Sequence, residues 1–331
     1  MNTRIQRLVL PALTLALIAL CGSGSALAYN AKPGPDWFAG KRVLWLGDSI
    51  TQQGEYVTFT EYYLDKMFPA AKFDFISIGL ASETASCLSE KAHPFPRPCV
   101  QERLQRALAL VKPDVVVACY GMNDGIYHPQ SRDRMKAFQR GIEKLIAQAR
   151  AAGAKVVILT PPPFDRLPVK HLQKRDAADF SYLQPYEDYD SVLGDYARWE
   201  MKLNHHAARV IDLHGPVAAY IAQRRKTEPE FSFTRDGIHP DLSGHLLMAR
   251  TILQAMGVAA PAGELDEEVA RIEADPLYAL VKQQREARSE GWLGYVGYTR
   301  ERTVKTASVE EVERKVADLQ VQIDELRRQA R

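Results

Sequence analysis

Short apolar runs alternate with longer amphipathic stretches through the middle of the chain. The apolar runs are rich in Val, Ile, Leu and Phe and show little polar alternation, which is typical of strands buried on both faces. They predict five strands, at about 42–47, 72–77, 114–119, 155–160 and 209–213. The amphipathic stretches predict helices at about 56–67, 100–111, 131–151, 191–206, 215–225 and 241–256. Such alternation favours an α/β fold, with a parallel sheet covered by helices on both sides.

The amino-terminal segment has a different pattern. Arg4 and Arg7 precede an apolar run over residues 8–20, and the small residues of Ala26-Leu27-Ala28 resemble a cleavage site. The run is shorter than the about 20 residues that cross a bilayer. We therefore predict a signal peptide over residues 1–28, cleavage near Ala28, export to the periplasm or the extracellular medium, and no integral membrane span in the mature chain.

Four cysteines bear on this prediction. Cys21 leaves open an alternative in which the chain is processed as an acylated lipoprotein. An exported protein can keep a disulfide, and Cys87 and Cys99 flank a proline-rich loop, so we expect these two residues to be bridged. Cys119 lies inside an apolar run and is expected to be a buried free thiol.

The composition changes after Gly257. Residues 258–331 are strongly charged and mostly helical in pattern, with an aromatic, glycine-punctuated segment at 291–298 between the helical parts. A capping box formed by Ser308 and Glu311 opens a last helix over residues 308–330. That helix carries an apolar stripe at three- and four-residue spacing, made of Val309, Val312, Val316, Leu319, Ile323 and Leu326. The stripe fits either docking on the preceding domain or dimerisation.

A serine follows the first predicted strand in Gly47-Asp48-Ser49-Ile50. Ligands of open α/β sheets bind outside the carboxyl ends of the strands, so this serine stands where a nucleophile belongs. A serine hydroxyl needs a base within hydrogen-bond reach, and the base needs an orienting group. Asp236 and His239, three residues apart in one loop, suit these two roles because the carboxylate can fold back onto the imidazole. The alternative is a turn at Asp236 followed by a helix-capping His239.

An acyl-transfer site also needs hydrogen-bond donors for the developing oxyanion. The second predicted strand runs into Gly79, whose backbone N–H could approach a substrate closely. The third runs into Gly121-Met122-Asn123-Asp124, where the Asn123 amide could donate to the same oxygen. Taken singly, glycine and asparagine at these places are more often turn formers.

Together these pieces resemble the SGNH hydrolases, also called GDSL-type esterases, over roughly residues 41–257. The resemblance implies a flavodoxin-like three-layer fold with a five-stranded parallel sheet, so that residues 29–257 form the hydrolase domain and 258–331 a helical extension. It also implies a Ser49–His239–Asp236 triad and an oxyanion hole of the Ser49 and Gly79 N–H groups with the Asn123 side chain. Gly47, Asp48, Gly121 and Asp124 support these motifs. Many members have Asn two residues before this glycine, where the chain has Ser77.

Residues 161–190 form the least regular stretch of the domain. They carry several aromatic and basic side chains, which fit either a sugar-binding surface over the site or a surface excursion with tyrosines packed on the core. Polar, proline-rich loops and export favour an esterase that removes a short acyl group, acetyl, from a carbohydrate. An exported lysophospholipase or lipase, a sugar O-acyltransferase, and a non-catalytic carbohydrate-binding relic remain alternatives.

The composition and net charge limit the classes of molecule that the protein is expected to bind. The chain has 331 residues, 46% of them hydrophobic and 25% charged, which suits a globular protein with a sizeable core. A net charge of +2 gives no reason to expect a nucleic-acid partner. No cofactor is expected, and the histidines lack a convincing metal-ligand spacing. The expected partner is a small-molecule or glycan ester.

Overall fold

Five strands form one all-parallel sheet in the order β2-β1-β3-β4-β5. They are β1 (Arg42–Gly47), β2 (Asp74–Ser77), β3 (Val115–Cys119), β4 (Lys155–Leu159) and β5 (Arg209–Ile211). Each lies within two residues of its predicted ends, and β3 is buried along its whole length. The predicted α/β fold is therefore confirmed, and the strand order is the flavodoxin-like one.

The structure is a computed structural model that describes residues 34–205, 209–300 and 306–329. The predicted signal peptide, with Cys21, lies outside these ranges. The helices are α1 (Ser49–Gln53), α2 (Glu55–Met67), α3 (Val100–Val111), α4 (Arg132–Ala151), α5 (Tyr189–Glu200), α6 (His214–Arg224), α7 (Leu242–Ala255), α8 (Leu265–Glu273), α9 (Pro276–Val296) and α10 (Val309–Gln329). None of them is both long and apolar enough to cross a membrane.

The strand order sets the two helical layers and the position of the site. The chain moves from β1 outward to β2 and then back past β1 to β3, so the crossovers run in opposite directions. Because such crossovers are right-handed, α2 lies on one face of the sheet and α3 and α4 on the other. The strand order reverses at β1, and this switch point opens a crevice at the carboxyl ends of β1 and β3.

The helices after Gly257 belong to the same compact unit as the sheet. Helix α9 covers the edge strand β2: its Arg288 forms an ion pair with Asp74 (2.6 Å) and donates to the Phe75 carbonyl. A sheet edge exposes unpaired backbone groups, and covering it removes a site of unwanted strand pairing. The sequence placed the segment 291–298 between helical parts, but most of it belongs to a helix, because α9 runs to Val296.

Helix α10 packs on α9 within the same chain. Val312, Val316, Leu319 and Ile323 of its apolar stripe are buried, and Val309 and Leu326 pack partly buried against the core. Gly291 permits this contact, since a Cβ there would lie 2.4 Å from a methyl group of Val312. The stripe is thus used for docking on the domain, one of the two roles that its pattern allowed.

Candidate active site

Ser49 is the first residue of α1, directly after β1. The turn between them is tight: a Cβ on Gly47 would lie 2.0 Å from the Thr51 hydroxyl oxygen, so only glycine fits. The buried Asp48 caps α1 by accepting from the Ile50 N–H (3.0 Å), and burial raises the pKa of this carboxyl to about 7. Ser49 itself remains partly exposed at the crevice.

Asp236, His239 and Ser49 form one hydrogen-bonded chain. The Asp236 carboxylate lies 2.6 Å from His239 Nδ1, and His239 Nε2 lies 2.8 Å from Ser49 Oγ. The other Asp236 oxygen accepts from the backbone N–H groups of Ile238 and His239, both at 2.9 Å. These bonds hold the carboxylate in place, so His239 Nδ1 carries the hydrogen and Nε2 faces the serine hydroxyl.

The electrostatics of the pair follow from this geometry. Burial opposes the charge on Asp236, but hydrogen bonds from the His239 ring and from two backbone N–H groups lower its pKa to about 2. Burial likewise opposes the charge on His239, yet the Asp236 carboxylate raises the His239 pKa above its ordinary value. Asp236 is therefore ionised at neutral pH and stabilises the imidazolium form of His239.

Three hydrogen-bond donors stand at the carboxyl ends of three adjacent strands. The Ser49 N–H opens a helix and has no partner within it. Ile78 and Leu80 donate to the carbonyls of Trp45 and Gly47 on β1, which fixes the position of the intervening Gly79 beside the end of β1. The Asn123 Oδ1 accepts from Tyr127 (2.9 Å), and one Nδ2 hydrogen goes to the Glu83 carbonyl (3.3 Å). The second Nδ2 hydrogen can serve a substrate oxygen.

Comparison with known proteins identifies the group to which this site belongs. The profile of the GDSL-like lipase/acylhydrolase family matches residues 45–247, which is more than half of the chain. The chain belongs to this family. The resemblance seen in the sequence is thereby confirmed, and the protein is a hydrolase of carboxylic esters. None of the curated proteins matches the chain.

Two solved structures resemble this GDSL-like hydrolase in fold. A variant of an acetyl xylan esterase from Geobacillus stearothermophilus gives a TM-score of 0.51 at 17% identity, over 68% of this chain and 99% of that one. A gut microbial diltiazem-metabolizing enzyme gives 0.50 at 21% identity, over 66% of this chain. The match spans only 47% of that second chain. At these identities the likeness concerns the shared fold.

A buried ion pair lies behind the candidate oxyanion donors of this GDSL-like hydrolase. Arg103 on α3 donates twice to the Glu83 carboxylate, both at 2.6 Å, and also to the Ile78 carbonyl beside Gly79 (2.8 Å). Tyr120 donates to the same carboxylate at 2.6 Å. The backbone carbonyl of Glu83 accepts the hydrogen bond from the Asn123 amide. One network thus links both donor-bearing loops, and the sequence motifs did not predict it.

A second network holds the loop that carries Asp236 and His239. The buried Asp165 accepts two hydrogen bonds from Arg225 Nη2 (2.8 and 2.6 Å) and one from the Ser232 hydroxyl (2.6 Å). Its backbone N–H donates to the Gly237 carbonyl at 2.9 Å. Asp165 therefore connects the end of β4 to this loop. The only sequence signal was an acidic residue two positions after the proline run that ends the fourth strand.

Cys87, Cys99 and Cys119 are where the sequence placed them. Cys87 and Cys99 form a disulfide, and Cys119 is a buried free thiol whose pKa is raised by burial. His245 stacks on Tyr56 in the core, and burial lowers its pKa to about 3, so it is neutral. Among residues 34–205, 209–300 and 306–329, no cluster of three or more acidic, histidine or cysteine side chains is arranged to hold a metal ion.

Residues 161–188 follow an irregular path between β4 and α5. Phe180 and Tyr186 are buried, as is Tyr189 at the start of α5. Tyr182 is half-buried and lies beside His93, with ring centroids 5.5 Å apart. The aromatic side chains of this segment therefore serve mainly in packing, which is the simpler of the two roles considered from the sequence.

Proposed function

We propose that this chain is an exported serine esterase that removes acetyl or similarly short acyl groups from carbohydrate esters. Ser49 is the nucleophile, His239 the general base and Asp236 the group that orients it. The hydrogen-bonded chain from Asp236 through His239 to Ser49 is the observation on which this proposal rests. The Cys87–Cys99 disulfide supports export, since disulfides persist in oxidising compartments.

The reaction follows from these positions. Ser49 Oγ attacks the ester carbonyl carbon while His239 Nε2 takes the hydroxyl proton. The negative charge on the former carbonyl oxygen is met by the Ser49 and Gly79 N–H groups and the Asn123 amide. The intermediate then expels the sugar oxygen, which receives the proton from His239, and an acyl-enzyme remains. Water, deprotonated by His239, attacks that acyl group, and the carboxylic acid leaves as Ser49 recovers its proton.

Two observations bear on the identity of the substrate. The structural neighbour from Geobacillus stearothermophilus is described as an acetyl xylan esterase and shares this fold. The segment from Arg166 to His171, which follows β4, exposes Arg166, Lys170 and His171 and one large apolar side chain, Leu167. Both observations favour a hydroxyl-rich alcohol with a short acyl group over a lipid ester.

A p-nitrophenyl ester series from acetate to dodecanoate tests the proposal. We expect kcat/KM to be highest for acetate and to fall steadily beyond butanoate, because a polar crevice gives no binding energy to a long acyl chain. A maximum at longer chains would indicate a lipid esterase instead. Release of p-nitrophenol without free acetate, in the presence of a sugar acceptor, would indicate acyl transfer to that sugar.

The pH dependence gives an independent check of the role of His239. The base must be neutral to accept the serine proton, so kcat/KM should rise with pH through the His239 ionisation. Because Asp236 raises the His239 pKa, the midpoint should lie above the ordinary histidine value of about 6.5. In Asp236→Asn, the residual activity should show a lower midpoint. A rate that is flat from pH 5 to pH 9 would contradict the assignment.

A further inference from the structure

A cavity of about 380 Å³ adjoins the site and is built largely from the carboxyl-terminal extension. Its inner wall includes Gln52 on α1 and Gly79 after β2, and its outer wall is α9, from Arg285 to Gly294. Gln52 lies three residues after Ser49 on the same helix and so faces the same side. Gly79 carries one of the proposed oxyanion donors. The cavity is therefore next to the place where the ester would react.

The wall from α1 presents hydrogen-bond donors. The Gln52 Oε1 accepts from the Ala81 N–H (2.6 Å), and the Gln53 Oε1 lies 3.4 Å from His245 Nε2. Both residues line the cavity, and their amide NH₂ groups are the donors that this wall can offer. A further donor comes from α9 itself: the Arg285 guanidinium, whose side chain is only 4% exposed, donates to the Thr58 hydroxyl (2.9 Å) and lies 3.5 Å from the Glu286 carboxylate.

The wall from α9 presents acceptors. Glu286 and Glu290 stand at exposed positions one turn apart on the cavity side of the helix. Between them, the buried Ser289 Oγ has no hydrogen-bond partner in the described part of the chain. A buried hydroxyl without a partner is costly, and the cost is recovered when a ligand supplies one. Leu293 and Tyr298 add an apolar surface.

This combination selects a class of ligand. Arg285 and Glu286 are paired with each other (3.5 Å), so the cavity does not present a strong charge of one sign to attract a simple ion. A sugar ring has hydroxyl groups that both donate and accept, together with apolar C–H faces, and so matches donors, acceptors and apolar side chains in one cavity. Its volume lies in the ordinary range for small-ligand sites, about 300–1,000 Å³.

We propose that this cavity is a subsite for a glycosyl unit of the ester substrate, supplied by α9. The inference rests on the proposed esterase function and extends it. The residues of α9 lie beyond the family match, which ends at residue 247. The extension would therefore determine which esters are cleaved, while the triad determines the chemistry.

Substitutions on α9 test the subsite. In the Ser289→Ala/Glu290→Ala variant, we expect kcat/KM for partially O-acetylated xylotriose and cellotriose to fall about tenfold or more, through KM. Hydrolysis of p-nitrophenyl acetate, which has no sugar, should stay within about twofold. Ser289→Ala removes a hydroxyl without a protein partner and Glu290 is exposed, so neither change should lower the melting temperature. Glu325→Ala, an exposed position on α10, is the matched control.

Each outcome decides the proposal. A loss confined to the glycan acetates, absent in Glu325→Ala, supports the subsite. Equal effects on both substrate types, or no effect on either, overturn it. A wild-type kcat/KM for both glycan acetates no higher than for ethyl acetate also overturns it, because an occupied subsite must add binding energy. Failure of the underlying function is seen separately, as p-nitrophenyl acetate hydrolysis that does not depend on Ser49.

Discussion

Replacing Ser49 by alanine is expected to lower kcat for p-nitrophenyl acetate by about 10⁵–10⁶-fold. The variant lacks the atom that we propose accepts the acyl group, although the proposed oxyanion donors remain. Because Ser49 is partly exposed and its hydroxyl contacts only His239 among the bonds described above, the fold should persist, with an unchanged melting temperature.

Two measurements separate loss of the nucleophile from other causes. A fluorophosphonate should add its phosphonyl mass to the wild-type protein at Ser49 and leave Ser49→Ala unlabelled. Ser191→Ala, at an exposed serine at the start of α5, should keep full activity and full labelling. Wild-type turnover in Ser49→Ala would remove Ser49 from the mechanism and with it the proposed triad.

The largest effect on stability is expected when the buried ion pair of Arg103 and Glu83, behind the proposed oxyanion donors, is broken. Arg103→Met leaves the Glu83 carboxylate buried without its cation, since both side chains are at most 1% exposed. Breaking such a pair from one side costs about 3–5 kcal/mol, because a charge is left in a poorly polarisable interior. We expect urea denaturation to show a loss of this size in the free energy of unfolding.

Matched variants make this expectation specific. Adding Glu83→Gln to Arg103→Met removes the unpaired charge and should restore part of the stability. Arg198→Met breaks an exposed pair with Asp195, and such surface pairs contribute at most about 1 kcal/mol. The Arg103 variant should also lose kcat, since Arg103 holds the Ile78 carbonyl beside Gly79. A stability equal to that of Arg198→Met would show that the pair contributes little.

The parts of the molecule that the sequence predicted depend on local patterns. Strands buried on both faces are continuous apolar runs, so β1 and β3 were found within two residues. Asp236 and His239 are three residues apart in one loop, so their contact follows from chain geometry alone. The tight turn before Ser49 is likewise visible in the sequence, as a glycine followed by a helix cap.

Features that depend on long-range packing could not be predicted from the sequence. The segment with Gly291 and Gly294 was expected between helical parts, yet both glycines lie within α9. Position 291 requires glycine because Val312 of α10 packs against it. Nothing in the sequence marks Arg103 as buried, since charged residues rarely are, and only its contact with Glu83 explains its place in the core. No local signal distinguishes such residues from those on a solvated face.

The sequence by itself determined the sheet, the loop that pairs Asp236 with His239, and the ester chemistry to which they point. The tertiary structure alone decided that the imidazole reaches a serine 190 residues away, because only the parallel sheet brings those segments to one edge. It also decided that α9 closes the β2 edge and forms a cavity beside Gly79. Such contacts depend on how surfaces from distant parts of the chain fit together. An amphipathic pattern shows that one face of a helix will be buried, but it does not identify the surface on which that face packs.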